Sequence, residues 1–234
     1  MSRPATIAAW SVHIFTTTGV LFAFLTLVAM WNEQPDLALW LLAAAVVVDS
    51  IDGTFARKAR VTEHTPRFDG ATLDNLIDYL TWAFLPLFWA YVFLDAHLFV
   101  CIFAAMASSI GFSLRDAKTE DHYFLGFPSY WNLVVLYLYL LPVSALWISI
   151  ILTVLGVMVF IPIKWIYPSR TKELRKTSLL LSSIYFGLVL YLLIRLEDAP
   201  MWMVVLSLFY PIYYVSASLY YGNLGKNFNE NISD

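Results

Sequence analysis

Four aspartates fall within or beside apolar stretches of the chain, and they come as two pairs of fixed spacing. The first pair lies in Asp49-Ser-Ile-Asp52-Gly53-Thr-Phe-Ala56-Arg57. The second follows a twelve-residue spacer, in Gly70-Ala-Thr-Leu-Asp74-Asn-Leu-Ile-Asp78. At about 100° per residue, Asp49, Asp52, Gly53 and Ala56 share one helix face, and Gly70, Asp74 and Asp78 share another. Two antiparallel helices can turn these faces together into a box of four carboxylates, whose charge two divalent cations would balance. Oxygen-only donors without His or Cys point to Mg2+ or Mn2+ rather than zinc. A pair of such ions about 4 Å apart is a clamp for phosphoryl transfer. Gly53, Ala56 and Gly70 would let a bulky ligand approach the backbone, and Arg57 can fork onto a phosphate. A single intramembrane Asp is often a packing partner or a proton relay. Four in register, with two glycines and an arginine, favour a diphosphate held across two metals at the membrane surface.

These faces must be carried by membrane-spanning helices. The chain has 234 residues, 60% hydrophobic and only 13% charged, which excludes a soluble globular protein. Eight apolar segments are expected to cross the bilayer: Ile7–Met30, Leu37–Arg57, Gly70–Leu94, Leu98–Leu114, Pro128–Leu141, Val143–Tyr167, Ser178–Leu196 and Pro200–Tyr221. The expected fold is thus an all-α polytopic helix bundle, one transmembrane domain over residues 1–221 with a flexible cytoplasmic tail over 222–234. In this topology thirteen of the fourteen basic residues lie on one side, Arg195 being the exception. The positive-inside rule then makes that side cytoplasmic, with both termini and both halves of the aspartate motif on it. The first apolar segment has no clear small-residue cleavage site and is expected to stay, as in a bacterial inner membrane protein. The lone Cys101 excludes a disulfide framework. A net charge of −3 with dispersed basic residues makes nucleic acid an unexpected partner. Pro86, Pro162 and Pro211 are expected to kink helices or mark their ends.

Asp49, Asp52, Gly53, Ala56, Arg57, Gly70, Asp74 and Asp78 match, position by position, the motif D-x2-D-G-x2-A-R, spacer, G-x3-D-x3-D. The chain therefore resembles the CDP-alcohol phosphotransferases. Its spacer, longer than the family's usual one, its eight spans and the stretch Asp121 to Asn132 look like the bacterial branch that joins CDP-diacylglycerol to choline. The resemblance implies that Asp49, Asp52 and Asp74 are metal ligands and that Asp78 is both ligand and general base. It also implies that Asp49, Asp52, Gly53, Ala56, Arg57 and Gly70 bind the CDP moiety, with two Mn2+ or Mg2+ ions as cofactors. CDP-diacylglycerol and choline would be the substrates, the lipid bilayer the setting and a homodimer the assembly.

Choline's quaternary ammonium is usually met by aromatic faces. The loop into the fifth span offers Tyr123, Phe127, Tyr130 and Trp131 beside Glu120 and Asp121, so Glu120, Asp121, Tyr123, Tyr130 and Trp131 are the expected choline contacts. The chain is 17% aromatic, and a preference of Trp and Tyr for membrane interfaces is the plainer alternative for these rings. His13 and Thr16 to Thr18 in the first span either line the substrate cavity or pack helices. His64 and Arg67 are expected in a solvated basic loop, and Arg170 to Lys176 to mark topology. Rival readings are a sister enzyme using serine, glycerol phosphate or inositol phosphate, an intramembrane prenyltransferase, and a divalent-cation transporter.

Overall fold

With no water in a bilayer core to satisfy peptide groups, apolar runs of this length must close their hydrogen bonds internally. The computed structural model describes residues 3–172 and 174–224. It begins with α1 (Arg3–Trp31), α2 (Pro35–Lys58) and a one-turn helix α3 (Val61–His64). α4 (Gly70–Asp78) then runs through a π-helical turn (Tyr79–Phe84) into α5 (Leu85–Phe93). α6 (Leu98–Ser113), β1 (Tyr123–Leu125), α7 (Trp131–Leu140), α8 (Ala145–Met158) and β2 (Lys164–Ile166) follow. The chain continues with α9 (Arg175–Ile194), a 3-10 turn (Leu196–Asp198), α10 (Met201–Ser207), α11 (Phe209–Ala217) and a π segment (Ser218–Leu224).

Among the described residues, five helical stretches are long and apolar enough to cross a membrane: Arg3–Trp31, Pro35–Lys58, Gly70–Phe93, Arg175–Ile194 and Met201–Asn223. Three shorter apolar helices, α6, α7 and α8, stand where the other three spans are predicted. Ile14, Phe24, Phe99, Leu180, Ile194 and Ile212 are 63% to 72% exposed, a surface suited to lipid and costly in water. The protein is an all-α, multi-pass membrane protein.

The chain divides into two compact units, Met1–Asp95 with Trp131–Val135, and Ala96–Tyr130 with Leu136–Asp234. In the first, α1 packs along α2. The buried positions of these two helices are mostly small, including Gly19, Ala23, Ala29, Ala38 and Ala45, which lets the backbones approach closely. Gly19 also admits α4: a Cβ added there would lie 2.5 Å from Ile77 Cγ2. That methyl sits on a branched carbon whose rotamer is restricted in a helix, so it cannot swing aside. Gly19→Ala should therefore lower stability by about 1–3 kcal/mol, as overpacking does. Thermal midpoints in detergent test this. Adding Ile77→Ala should make the double variant less destabilised than the sum of the two, and additive losses would show that the two sites do not touch.

The turn after Asp78 widens to π geometry just before Pro86. Pro86 cannot donate a backbone hydrogen bond, and in a regular helix its ring would press on the carbonyl of Trp82. Widening the preceding turn relieves that clash and keeps the span continuous. Trp89, fully buried, donates its indole N–H to the Pro35 carbonyl at 3.2 Å, tying α5 to the start of α2.

In the second unit, β1 and β2 pair antiparallel, Tyr123 with Ile166, Phe124 with Trp165 and Leu125 with Lys164. The predicted sixth span, Val143–Tyr167, accordingly ends early. Its helix stops at Met158, and beyond Pro162 the chain joins the sheet. The free edge of β2 is covered by the C-terminal segment. Asn223 accepts from the Lys164 N–H and donates to its carbonyl, both at 3.1 Å, and Ser218 Oγ accepts from the Ile166 N–H at 3.0 Å. Of the predicted tail over 222–234, Gly222 to Leu224 belong to this segment, and residues 225–234 lie outside the described residues.

Candidate active site

α2 and α4 bring three of the four aspartates together. One carboxylate oxygen from each of Asp49, Asp74 and Asp78 lies within 4.8 Å of the others, and all three side chains are half-buried. Asp74 and Asp78 are one helical turn apart, so a single face of α4 presents both, as their spacing requires. Asp49 accepts the Trp82 indole N–H at 3.2 Å and lies in hydrogen-bonding range of Asp78. Three carboxylates at such separations repel unless a proton or a cation lies among them. Their hard oxygen donors suit a divalent ion of the Mg2+ or Mn2+ kind.

Asp52 is not part of this trio. It is 5% exposed, one turn along α2, and near the Thr16 hydroxyl on α1. Gly53 stands beneath the Arg57 guanidinium, where an added Cβ would come 3.4 Å from Nη1. Arg57 is exposed and donates back to Thr54 Oγ1 at 2.9 Å, while Ala56 is half-buried on the same helix. Gly70 faces α1: its missing Cβ would lie 2.9 Å from His13 Cε1. The bareness of Gly70 thus accommodates a histidine of the protein itself.

Asp69 caps α4. Its carboxylate accepts from the Thr72 backbone N–H at 3.0 Å and from the Thr72 hydroxyl at 2.8 Å. Those two bonds hold the Asp69 carboxyl below its ordinary range. The sequence signal for this cap was present, an Asp three residues ahead of Thr72 at the opening of an apolar helix. Trp82 also escaped the sequence reading, although it lies four residues beyond Asp78 and so on the same helical face.

The expected choline contacts behave differently. In the second unit Asp121 pairs with Lys164 at 2.9 Å, and Lys164 Nζ lies 5.7 Å from the centre of the Tyr123 ring. Tyr123 is buried in a cluster with Trp165, Ile166, Tyr214 and Ala217, against which Tyr130 packs. Glu120 is exposed in the same unit. Trp131, fully buried, opens α7 and belongs to the first unit. Lys164, the partner of Asp121, could not be found by local reading, because strand pairing brings it there.

A family model described as CDP-alcohol phosphatidyltransferase matches residues 11–162. The chain belongs to that family. Within it, the chain is similar to a phosphatidylcholine synthase of Borreliella burgdorferi, 37% identical over 221 residues that cover 92% of this chain and 94% of that protein. It is 37% identical to a phosphatidylcholine synthase of Legionella pneumophila over 224 residues, covering 91% and 88% of the two chains. A phosphatidylcholine synthase of Agrobacterium fabrum is 38% identical over 210 residues, covering 86% and 85%. The CDP-alcohol phosphatidyltransferase match contains the whole aspartate motif and runs past the end of α8. The similarity to these three relatives covers most of the chain.

Proposed function

We propose that this protein transfers the phosphatidyl group of CDP-diacylglycerol to choline, releasing CMP. The observation that carries this reading is the convergence of Asp49, Asp74 and Asp78 in a chain similar over most of its length to phosphatidylcholine synthases. These three, with Asp52 beside Asp49, would hold two ions, Mn2+ or Mg2+. Bound there, the ions would neutralise the diphosphate and make the phosphorus a better electrophile.

The residues do the rest. Asp78 takes the proton from the choline hydroxyl, whose oxygen forms a bond to the phosphorus that bears diacylglycerol. The bond from that phosphorus to the oxygen of CMP breaks, and CMP departs with the electron pair. Arg57 is at the exposed end of α2, suited to meet phosphate charge as it develops. Gly53 and Ala56, with their minimal side chains, leave room along α2 for the nucleotide. In the second unit, Tyr123 and Tyr130, with Glu120 and Asp121, are the candidates for holding the ammonium group. Much of the rate is expected from positioning and charge neutralisation, with proton transfer contributing the smaller part. The placement of basic residues supports termini and an active site facing the cytoplasm. Similarity to bacterial phosphatidylcholine synthases supports a multi-pass protein of a bacterial inner membrane, and the family resemblance supports a homodimer.

Purified protein in detergent tests the reading directly. With CDP-diacylglycerol and Mn2+ or Mg2+, labelled choline should enter lipid in step with CMP release. Serine, glycerol phosphate or inositol phosphate should not substitute. Turnover with one of these alone would overturn the acceptor and keep the metal site. No CMP with any acceptor would overturn the reaction.

A further inference from the structure

The spacer between the two halves of the motif, with the first residue of α4, is tied to α1 at three points. His13, 5% exposed in the N-terminal half of the bilayer-length helix α1, has its Nε2 2.9 Å from Thr65 Oγ1. The Thr65 hydroxyl is itself 2.7 Å from the Val61 carbonyl. A contact that short between two oxygens needs a proton between them, so Thr65 donates to Val61. The Thr65 oxygen is then the acceptor, and His13 donates through Nε2–H. The His13 ring also lies 4.4 Å, centre to centre, from Phe68, and Trp10 lies 5.2 Å from the same ring. Third, the edge of the imidazole covers Gly70, the first residue of α4.

Thr65, Phe68 and Gly70 bracket the point at which α4 begins. A helix rises about 1.5 Å per residue, so fixing its start fixes Asp74 about one turn in and Asp78 about two turns in. On the same face of α1, Thr16 lies near Asp52 of α2, along which α1 packs, and Gly19 receives Ile77 of α4. One stripe of α1 therefore touches both helices that carry the motif. We propose that His13 is a positioning residue for the carboxylate site: through Thr65, Phe68 and Gly70 it sets the start of α4 and so the placement of Asp74 and Asp78. This rests on the metal-holding role proposed above for those two aspartates. The enlarged spacer then acts as a strap across α1, with its exposed Arg60, Glu63 and Arg67 on the outside.

The test measures metal binding without turnover. Mn2+ should raise the thermal midpoint of the wild-type protein in detergent, by linkage to the folded state. His13→Phe keeps a ring against Phe68 and removes the donor, and Thr65→Val is isosteric and removes the acceptor. In each, the Mn2+ concentration needed for a given upward shift of the midpoint should rise about 10-fold or more, the scale on which groups that orient metal ligands act. The metal concentration that half-activates CMP release should rise in parallel, with the KM for choline unchanged. The double variant should be no worse than either single one, and His13→Gln should recover part of the affinity. Gly126→Ala, a destabilising change in the other unit, serves as the control: it should lower the metal-free midpoint without moving the Mn2+ dependence. Variants that bind Mn2+ like wild type would overturn the positioning role alone, as would a drop in the metal-free midpoint with an unchanged Mn2+ dependence. Absence of Mn2+ stabilisation in the wild type would overturn the metal reading and this role with it, and is thereby distinguishable.

Discussion

Asp78→Asn should lower choline-dependent CMP release by about 10²–10⁴-fold, the range typical of removing a general base. The substitution keeps the shape of the side chain and removes its charge. It leaves Asp49 and Asp74, which meet Asp78 within 4.8 Å, with one fewer anionic oxygen donor. Two effects are thus combined, and kinetics at varied Mn2+ separate them. A loss confined to kcat at saturating metal assigns Asp78 to proton transfer, whereas a rate restored by high metal assigns it to holding the ion. Because the side chain is half-buried among carboxylates, removing one negative charge also relieves repulsion. The metal-free protein should therefore be at least as stable as wild type, which guards against mistaking unfolding for lost chemistry. A variant retaining activity within about threefold of wild type would exclude Asp78 as base, since so small a change is far below general-base contributions.

Gly126→Ala should produce the largest loss of stability among single-methyl additions in the second unit. Gly126 has φ of 74°, and a Cβ there would lie 2.2 Å from the Val159 carbonyl oxygen and 3.0 Å from its carbon. Both neighbours are backbone, so no rotamer change relieves the contact. The turn cannot move away cheaply either: the Gly126 N–H donates to Ile163 O and the Phe127 N–H to Met158 O, each at 3.0 Å. Strain at a left-handed site and overpacking each cost about 1–3 kcal/mol, giving about 2–6 kcal/mol in total. That corresponds to a fall of roughly 5–20 °C in the thermal midpoint for a chain of this size. Gly187→Ala is the matched comparison. Gly187 lies in α9 with nothing within 4 Å of an added Cβ, and Ala is the better helix former. That variant should melt at or slightly above the wild-type temperature. Equal midpoints for the two variants would show that the turn at Gly126 does not hold the sheet to the end of α8.

Both sites show where local reading succeeds and where it stops. The pairing of Asp74 with Asp78 was legible because residues four apart share a helix face whatever the helix packs against. The apolar runs were legible for a similar reason, since each span satisfies its own backbone. Where a run did not stay helical, the cause was remote. The residues from Lys164 to Ile166 look like the end of a span, but they pair with Tyr123 to Leu125, a segment well back in the chain. The π turn lies between these cases: Pro86 announced an irregularity, but not that it would take the form of a π turn.

By itself, the amino-acid sequence determined the membrane setting, the helices that carry the motif and the carboxylates available to a metal, because these follow from composition and from contacts within one helical turn. Only the tertiary structure decided which carboxylates meet. It gathered Asp49, Asp74 and Asp78, turned Asp52 toward Thr16 and set His13 against Gly70. Each of those outcomes depends on the rotation and separation of helices about one another. Those are set by side chains such as Gly19 and Ile77, and no periodicity along a single helix encodes them.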